Sequence, residues 1–156
     1  MSDAHRAWMA SLPETMELPG LLLVHGTQRS DVEHFLETVE PGGMRHATEA
    51  EIADRLGDAN TPLTLCGHTH IARQVRLADG RVVANAGSVG LQAYDDDHLH
   101  LYRVENGDPR ARYLIVENGA ATVHMVAYDH EPAAAKAARE GRGDWAIALR
   151  TGRMTT

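Results

Sequence analysis

The chain contains one cysteine, so no disulfide framework is available to it, and the reducing cytoplasm is the expected setting. No apolar run approaches the roughly 20 residues that a bilayer-spanning helix needs, which argues against a membrane protein. Met1 to Leu12 carries scattered charge without an apolar stretch and does not read as a secretion signal. Positive charge is also short: 15 Lys and Arg face 22 Asp and Glu, a formal net charge of −7. A dedicated nucleic-acid binder draws affinity from counterion release by a basic face, and that class is not expected here. No internal repeat or low-complexity linker divides the 156 residues, so a single domain over 1–156 is expected.

What the chain does have is histidine, ten in all. Neutral imidazole is the commonest metal ligand, so the spacing of these residues carries weight. Leu21-Leu22-Leu23-Val24 lies between Pro19-Gly20 and Gly26 and reads as a buried strand with His25 at its carboxyl end. Leu63-Thr64-Leu65-Cys66 reads the same way and runs into Gly67-His68-Thr69-His70. Extended geometry would put His68 and His70 on one face, where they could address neighbouring ions. Cys66 is expected to be a small core residue.

Other elements follow from local signals. Ala4 to Leu12 suits an amphipathic helix that stops before Pro13. Thr48 and Glu51 stand in capping-box spacing ahead of a helix ending at Gly57, with Ile52, Ala53 and Leu56 on its apolar face. Ala72 to Leu77 and Arg81 to Ala84 flank Asp79-Gly80 as a hairpin, and its second arm ends in Asn85-Ala86-Gly87-Ser88-Val89-Gly90. Strands are expected at Arg112 to Val116 and Thr122 to Ala127, and helices at Glu131 to Arg139 and around Trp145 to Leu149. His34, His46, His98, His100, His124 and His130 sit in polar or alternating contexts and are expected at the surface. Tyr94-Asp95-Asp96-Asp97 reads as a solvated acidic loop.

Val24-His25-Gly26, then Cys66-Gly67-His68-Thr69-His70, then Asn85-Ala86-Gly87-Ser88-Val89-Gly90 resembles, in order and spacing, the motifs of the calcineurin-like metallophosphoesterases, specifically their small bacterial-type phosphodiesterase branch. The resemblance runs from about His5 to the end and implies an α/β fold, the C-terminal part of a four-layer sandwich of mixed β-sheets flanked by helices. It implies hydrolysis of a phosphodiester or phosphomonoester small molecule by a metal-bound hydroxide. His25 and His68 would ligate one metal and His70 the other, with Gly67, Asn85, Gly87 and Ser88 in the turns beside them. Where the family has Asn-Pro-Gly-Ser, this chain has Ala86 in place of proline.

The upstream motifs of the family, an Asp-x-His, a Gly-Asp-x-x-Asp and a Gly-Asn-His, have no counterpart here. Asp3-Ala4-His5 spells the first, but a helix follows and no strand precedes it. The family holds two divalent ions. Three imidazoles without a bridging carboxylate would hold at most one, weakly, because two dications about 3.5–4 Å apart repel. Histidine ligands favour manganese, with iron, zinc or nickel as alternatives. The rival expectation is a catalytically silent remnant or binding module. A chain with only the second half of the sandwich should also expose a sheet edge and self-associate through it.

Overall fold

The computed structural model describes residues 1–154. Helix α1 (Asp3–Ala10) is followed by strands β1 (Thr15–Leu18) and β2 (Leu21–Val24), the hairpin of β3 (Glu37–Glu40) and β4 (Gly43–His46), and helix α2 (Glu49–Leu56). Strands β5 (Leu63–Cys66), β6 (Arg73–Arg76) and β7 (Val82–Asn85) come next. Two hairpins, β8 (Ala93–Asp96) with β9 (Tyr102–Glu105) and β10 (Ala111–Glu117) with β11 (Ala120–Val126), precede helices α3 (Glu131–Arg139) and α4 (Gly143–Thr151).

The central element is a mixed five-stranded sheet ordered β1-β2-β5-β7-β6. β2, β5 and β7 run parallel, with Leu23 opposite Leu65 and Cys66 opposite Asn85. β1 and β6 run antiparallel at the two edges. Parallel strands are expected to be covered on both faces, and these are. On one face α2 and the segment before β3 pack Phe35, Leu36, Ile52 and Leu56 against Cys66 and Val83. On the other, Leu114, Val116 and Ala121 of the β10–β11 hairpin lie against Leu63, Val82 and Ala84. Each fully buried aliphatic side chain contributes about 1.5–3 kcal/mol, which makes these two faces the main source of cohesion.

Local chemistry explains most boundaries. The Thr48 hydroxyl accepts the Glu51 N–H while the Glu51 carboxylate accepts the Thr48 N–H, so α2 begins in a complete capping box. The turn between β6 and β7 places Gly80 at φ 92°, the left-handed region that glycine enters without penalty. Helix α1 ends at Ala10, two residues short of the expected Leu12, because the Ser11 hydroxyl and N–H fold back on the Trp8 carbonyl. No residue of α1 is buried, and Trp8, Leu12, Met16 and Leu18 are all exposed around β1. Among the described residues no helix is long and apolar enough to cross a membrane.

Three elements lay outside the sequence reading. β1 is fully exposed and lacks alternation. The β3–β4 hairpin places a buried charge, Glu37, where a strand pattern calls for an apolar residue. In β8–β9 the run Tyr94-Asp95-Asp96 turns out to be strand rather than solvated loop.

Candidate metal and phosphate site

Three neighbouring parallel strands deliver the histidine motifs to one edge of the sheet. β2 ends at Val24 with His25 next, β5 ends at Cys66 with Gly67-His68-Thr69-His70 next, and β7 ends at Asn85. Carboxyl ends of parallel strands are where open α/β sheets bind ligands, because the chain leaves the sheet there and side chains converge. The Gly67 N–H donates to the His25 carbonyl at 2.8 Å, which ties the two loops together. The rings of His25 and His68 meet edge to face with centroids 5.2 Å apart.

Extended geometry does not hold for the histidine pair. His68 and His70 both lie in the left-handed region, at φ 64° and 61°, and the Thr69 N–H turns back to the Gly67 carbonyl at 2.8 Å. Non-glycine residues in that region cost on the order of 1–3 kcal/mol each and persist only where surroundings enforce them. The enforcement comes from Asn85, which is 1% exposed. Its amide donates to the Gly67 carbonyl at 2.6 Å and the Thr69 hydroxyl at 3.0 Å, and its carbonyl accepts the Gly87 N–H at 2.8 Å. Gly87 sits at φ 81° with Arg112 and Ala72 3.0–3.2 Å from where a Cβ would stand, so the turn needs glycine. Ser88 closes the same turn, its hydroxyl accepting the Gly90 N–H and its carbonyl the Gln92 amide and the Arg112 N–H.

His68 and His70 are prepared as neutral donors. His70 Nδ1 bonds the Leu91 carbonyl at 2.8 Å; as the donor there it leaves Nε2 with a free lone pair, the arrangement in which a backbone carbonyl fixes a ligating tautomer. Burial holds both His68 and His70 below the usual histidine range. In His68 the neighbouring His25 and His70 add to that effect. Cys66 is buried, and burial pushes its thiol well above the ordinary range, so it is a core residue and not a nucleophile.

His34 corrects the sequence expectation. It is 6% exposed, not a surface residue. Its ring centroid lies 5.0 Å from that of His68, and its Nε2 is 3.2 Å from the Tyr102 hydroxyl. Tyr94 packs edge to face on His70 at 5.1 Å and on Tyr102 at 6.1 Å. Burial raises the Tyr102 phenol to about 12. His34, Leu91, Tyr94 and Tyr102 therefore frame the histidines, although nothing local in the sequence singles them out. His46, His98 and His100 are exposed as expected, while His124 is half-buried and stacks on Tyr113 with centroids 5.3 Å apart.

The donor set suits one transition-metal ion better than two. Neutral imidazoles are good ligands for manganese, iron or zinc, and the free Nε2 of His70 is a ready donor. Yet among the described residues no group of three or more His, Cys, Asp or Glu side chains is gathered closely enough to hold an ion. Asp96 is a carboxylate whose charge acts on His68, and its oxygens are taken by the His98 N–H at 3.0 Å and the Tyr102 hydroxyl at 3.4 Å. Asp3 and His5 stand on the exposed helix α1, with Asp3 paired to Arg6. These residues do not fit a pair of dications.

No protein-family profile and no curated protein matches the sequence. Solved structures do match the fold. A metallophosphoesterase from Sphaerobacter thermophilus superposes with a TM-score of 0.69 at 23% identity, over 98% of this chain and 63% of that one. A hypothetical protein from Pyrococcus horikoshii superposes with a TM-score of 0.66 at 14% identity, over 97% of this chain and 56% of that one. The chain shares its fold with these two structures and spans less than two thirds of the length of either.

Proposed function

We propose that this chain is part of a metal-dependent phosphoesterase in which His25, His68 and His70 supply imidazole ligands for a divalent transition metal, manganese first among them. The observation that supports it is the meeting of His25, the Gly67–His70 turn and Asn85 at the carboxyl ends of three adjacent strands, in a fold shared with a metallophosphoesterase. When bound, such an ion supplies Lewis-acid polarisation of a phosphoryl oxygen. The chain's own contribution is positional. Asn85 holds the turn that aims His68 and His70, the Leu91 carbonyl fixes the His70 tautomer, and Tyr94 packs against the His70 ring with Tyr102 behind it. The substrate is a phosphate-ester small molecule, and the setting is cytoplasmic.

A second reading is favoured by a specific observation. Among the described residues no group of three or more ligand side chains is gathered, which suits a catalytically silent module that keeps the fold and binds at most one ion weakly. The deciding experiment is hydrolysis of bis(p-nitrophenyl) phosphate with added manganese, beside His68→Ala and His70→Ala and with manganese binding followed by calorimetry. Turnover and binding lost in both variants support the phosphoesterase. Binding without turnover supports the silent module. Neither in the wild type rejects the metal site in this chain.

A further inference from the structure

A cavity of about 470 Å³ opens beside the histidines, walled by Val32, His34, Val39, Arg55, His98 and Leu99 among others. Small-molecule sites run from about 300 to 1,000 Å³, so this volume accommodates a ring or short branched chain. The cavity and the histidine site share a wall. His34 lines the cavity and stands 5.0 Å, ring to ring, from His68. One ligand can therefore reach both.

Arg55 shares the cavity wall with Arg29, Glu33 and Glu37. Its Nη1 donates to the carbonyls of Phe35 at 3.0 Å and Glu37 at 2.9 Å, and its Nη2 to the Thr38 hydroxyl at 2.8 Å. All three acceptors are neutral. Among the described residues Arg55 forms no ion pair, whereas Arg29, Arg45, Arg81, Arg110, Arg142 and Arg150 each rest on a carboxylate. Three acids act on Arg55 with their charge: Glu33 is bonded by Arg29 and Thr27, Glu51 by Arg45 and Thr48, and Glu37, whose carboxyl burial pushes above the ordinary range, stands in the same cavity wall. A guanidinium has five N–H donors, and here Nε and one Nη2 hydrogen have no acceptor among the described residues. A half-buried cation, fixed in orientation by neutral groups and forming no direct ion pair among the described residues, is a pre-organised receptor for a planar or tetrahedral anion. His98 adds an imidazole to the wall, and Val32, Val39 and Leu99 add apolar surface.

We propose that this cavity binds the non-reacting part of a phosphate ester, and that this part carries a second anionic group, a carboxylate or a phosphate, held by Arg55. Turnover of that ester rests on the phosphoesterase reading of the histidine site; anion binding at Arg55 does not.

The test is calorimetry on the full chain with manganese present, using phenyl phosphate, 4-carboxyphenyl phosphate, 1,4-phenylene bisphosphate and benzoate. The wild type should bind at least one of the two doubly anionic rings about tenfold tighter than phenyl phosphate, and the tighter one identifies the anion. Arg55→Gln should abolish that preference. Because Arg55 also ties α2 to β3, a second variant is needed: Val39→Phe narrows the cavity, leaves the Arg55 bonds in place, and should weaken the doubly anionic ligands while sparing phenyl phosphate. Equal affinity for all three phosphates in the wild type, or a preference untouched in both variants, overturns the proposal. Benzoate binding that depends on Arg55, with phosphate binding indifferent to His68→Ala, would keep the cavity and reject the phosphoesterase. Phosphate binding that depends on His68 with no second-anion preference would do the reverse.

Discussion

The amide of Asn85, at the end of β7, donates to the carbonyl of Gly67, at the end of β5, at 2.6 Å. Through this bond one buried side chain holds the backbone that carries both His68 and His70 in the left-handed region. The position is occupied for geometry, and three of its bonds would be lost together on truncation.

Asn85→Ala should therefore destabilise the chain by about 2–4 kcal/mol, since it leaves a buried carbonyl, a hydroxyl and the Gly87 N–H short of a partner. Urea denaturation measures this. Manganese affinity should fall in the same variant although no metal ligand is touched, and unchanged affinity would show that the turn holds itself.

Gly26 follows His25, and a Cβ there would stand 2.5–2.7 Å from the carbonyl oxygens of Ser30, Asp31 and Glu33. All three are backbone atoms, so the loop must move rather than a side chain swing aside. Gly26→Ala should cost about 3 kcal/mol and displace His25; thermal melting checks the first, and loss of manganese binding the second.

Glu37 is 1% exposed with neither carboxyl oxygen hydrogen-bonded, and burial pushes its carboxyl above the ordinary glutamate range despite Arg73 at 3.8 Å. A carboxyl raised in the fold binds its proton more tightly folded than unfolded. Its contribution to stability is then complete below about pH 4.5, the unfolded value, and is lost as pH rises through the folded one. Glu37→Gln should melt higher than the wild type at pH 7, with the difference shrinking toward pH 4. A variant that melts lower at pH 7 would mean that the charged form is the one the fold uses.

Thr48→Ala removes one half of the α2 capping box and should cost about 1 kcal/mol, with no effect on metal binding. Chemical denaturation beside a manganese titration separates the two effects.

Trp8, Leu12, Met16 and Leu18 are 43–60% exposed around α1 and the edge strand β1, an apolar stretch next to unpaired backbone groups. Such edges recruit other chains. Light scattering coupled to size exclusion should show association that grows with protein concentration, and Met16→Glu should reduce it. A strictly monomeric wild type at high concentration would reject this surface as an association site.

The sequence by itself determined the elements whose signals are local. The apolar run Leu21-Leu22-Leu23-Val24 before His25 and the largely apolar Leu63-Thr64-Leu65-Cys66 before Gly67 marked β2 and β5. The Thr48 and Glu51 pair marked the start of α2, and Asp79-Gly80 the turn between β6 and β7. It also pointed to a fold that a metallophosphoesterase shares. It could not place His34 beside His68, 34 residues away in the chain, nor Leu91 against His70, because those contacts are made by strand order rather than by spacing. Nor could it read β3, whose inward residue is the charge Glu37, since a strand is recognised by the apolar alternation that this residue breaks. The left-handed turn at His68 and His70 was likewise decided only in three dimensions: histidine disfavours that backbone locally, and the bonds from Asn85 outweigh the preference.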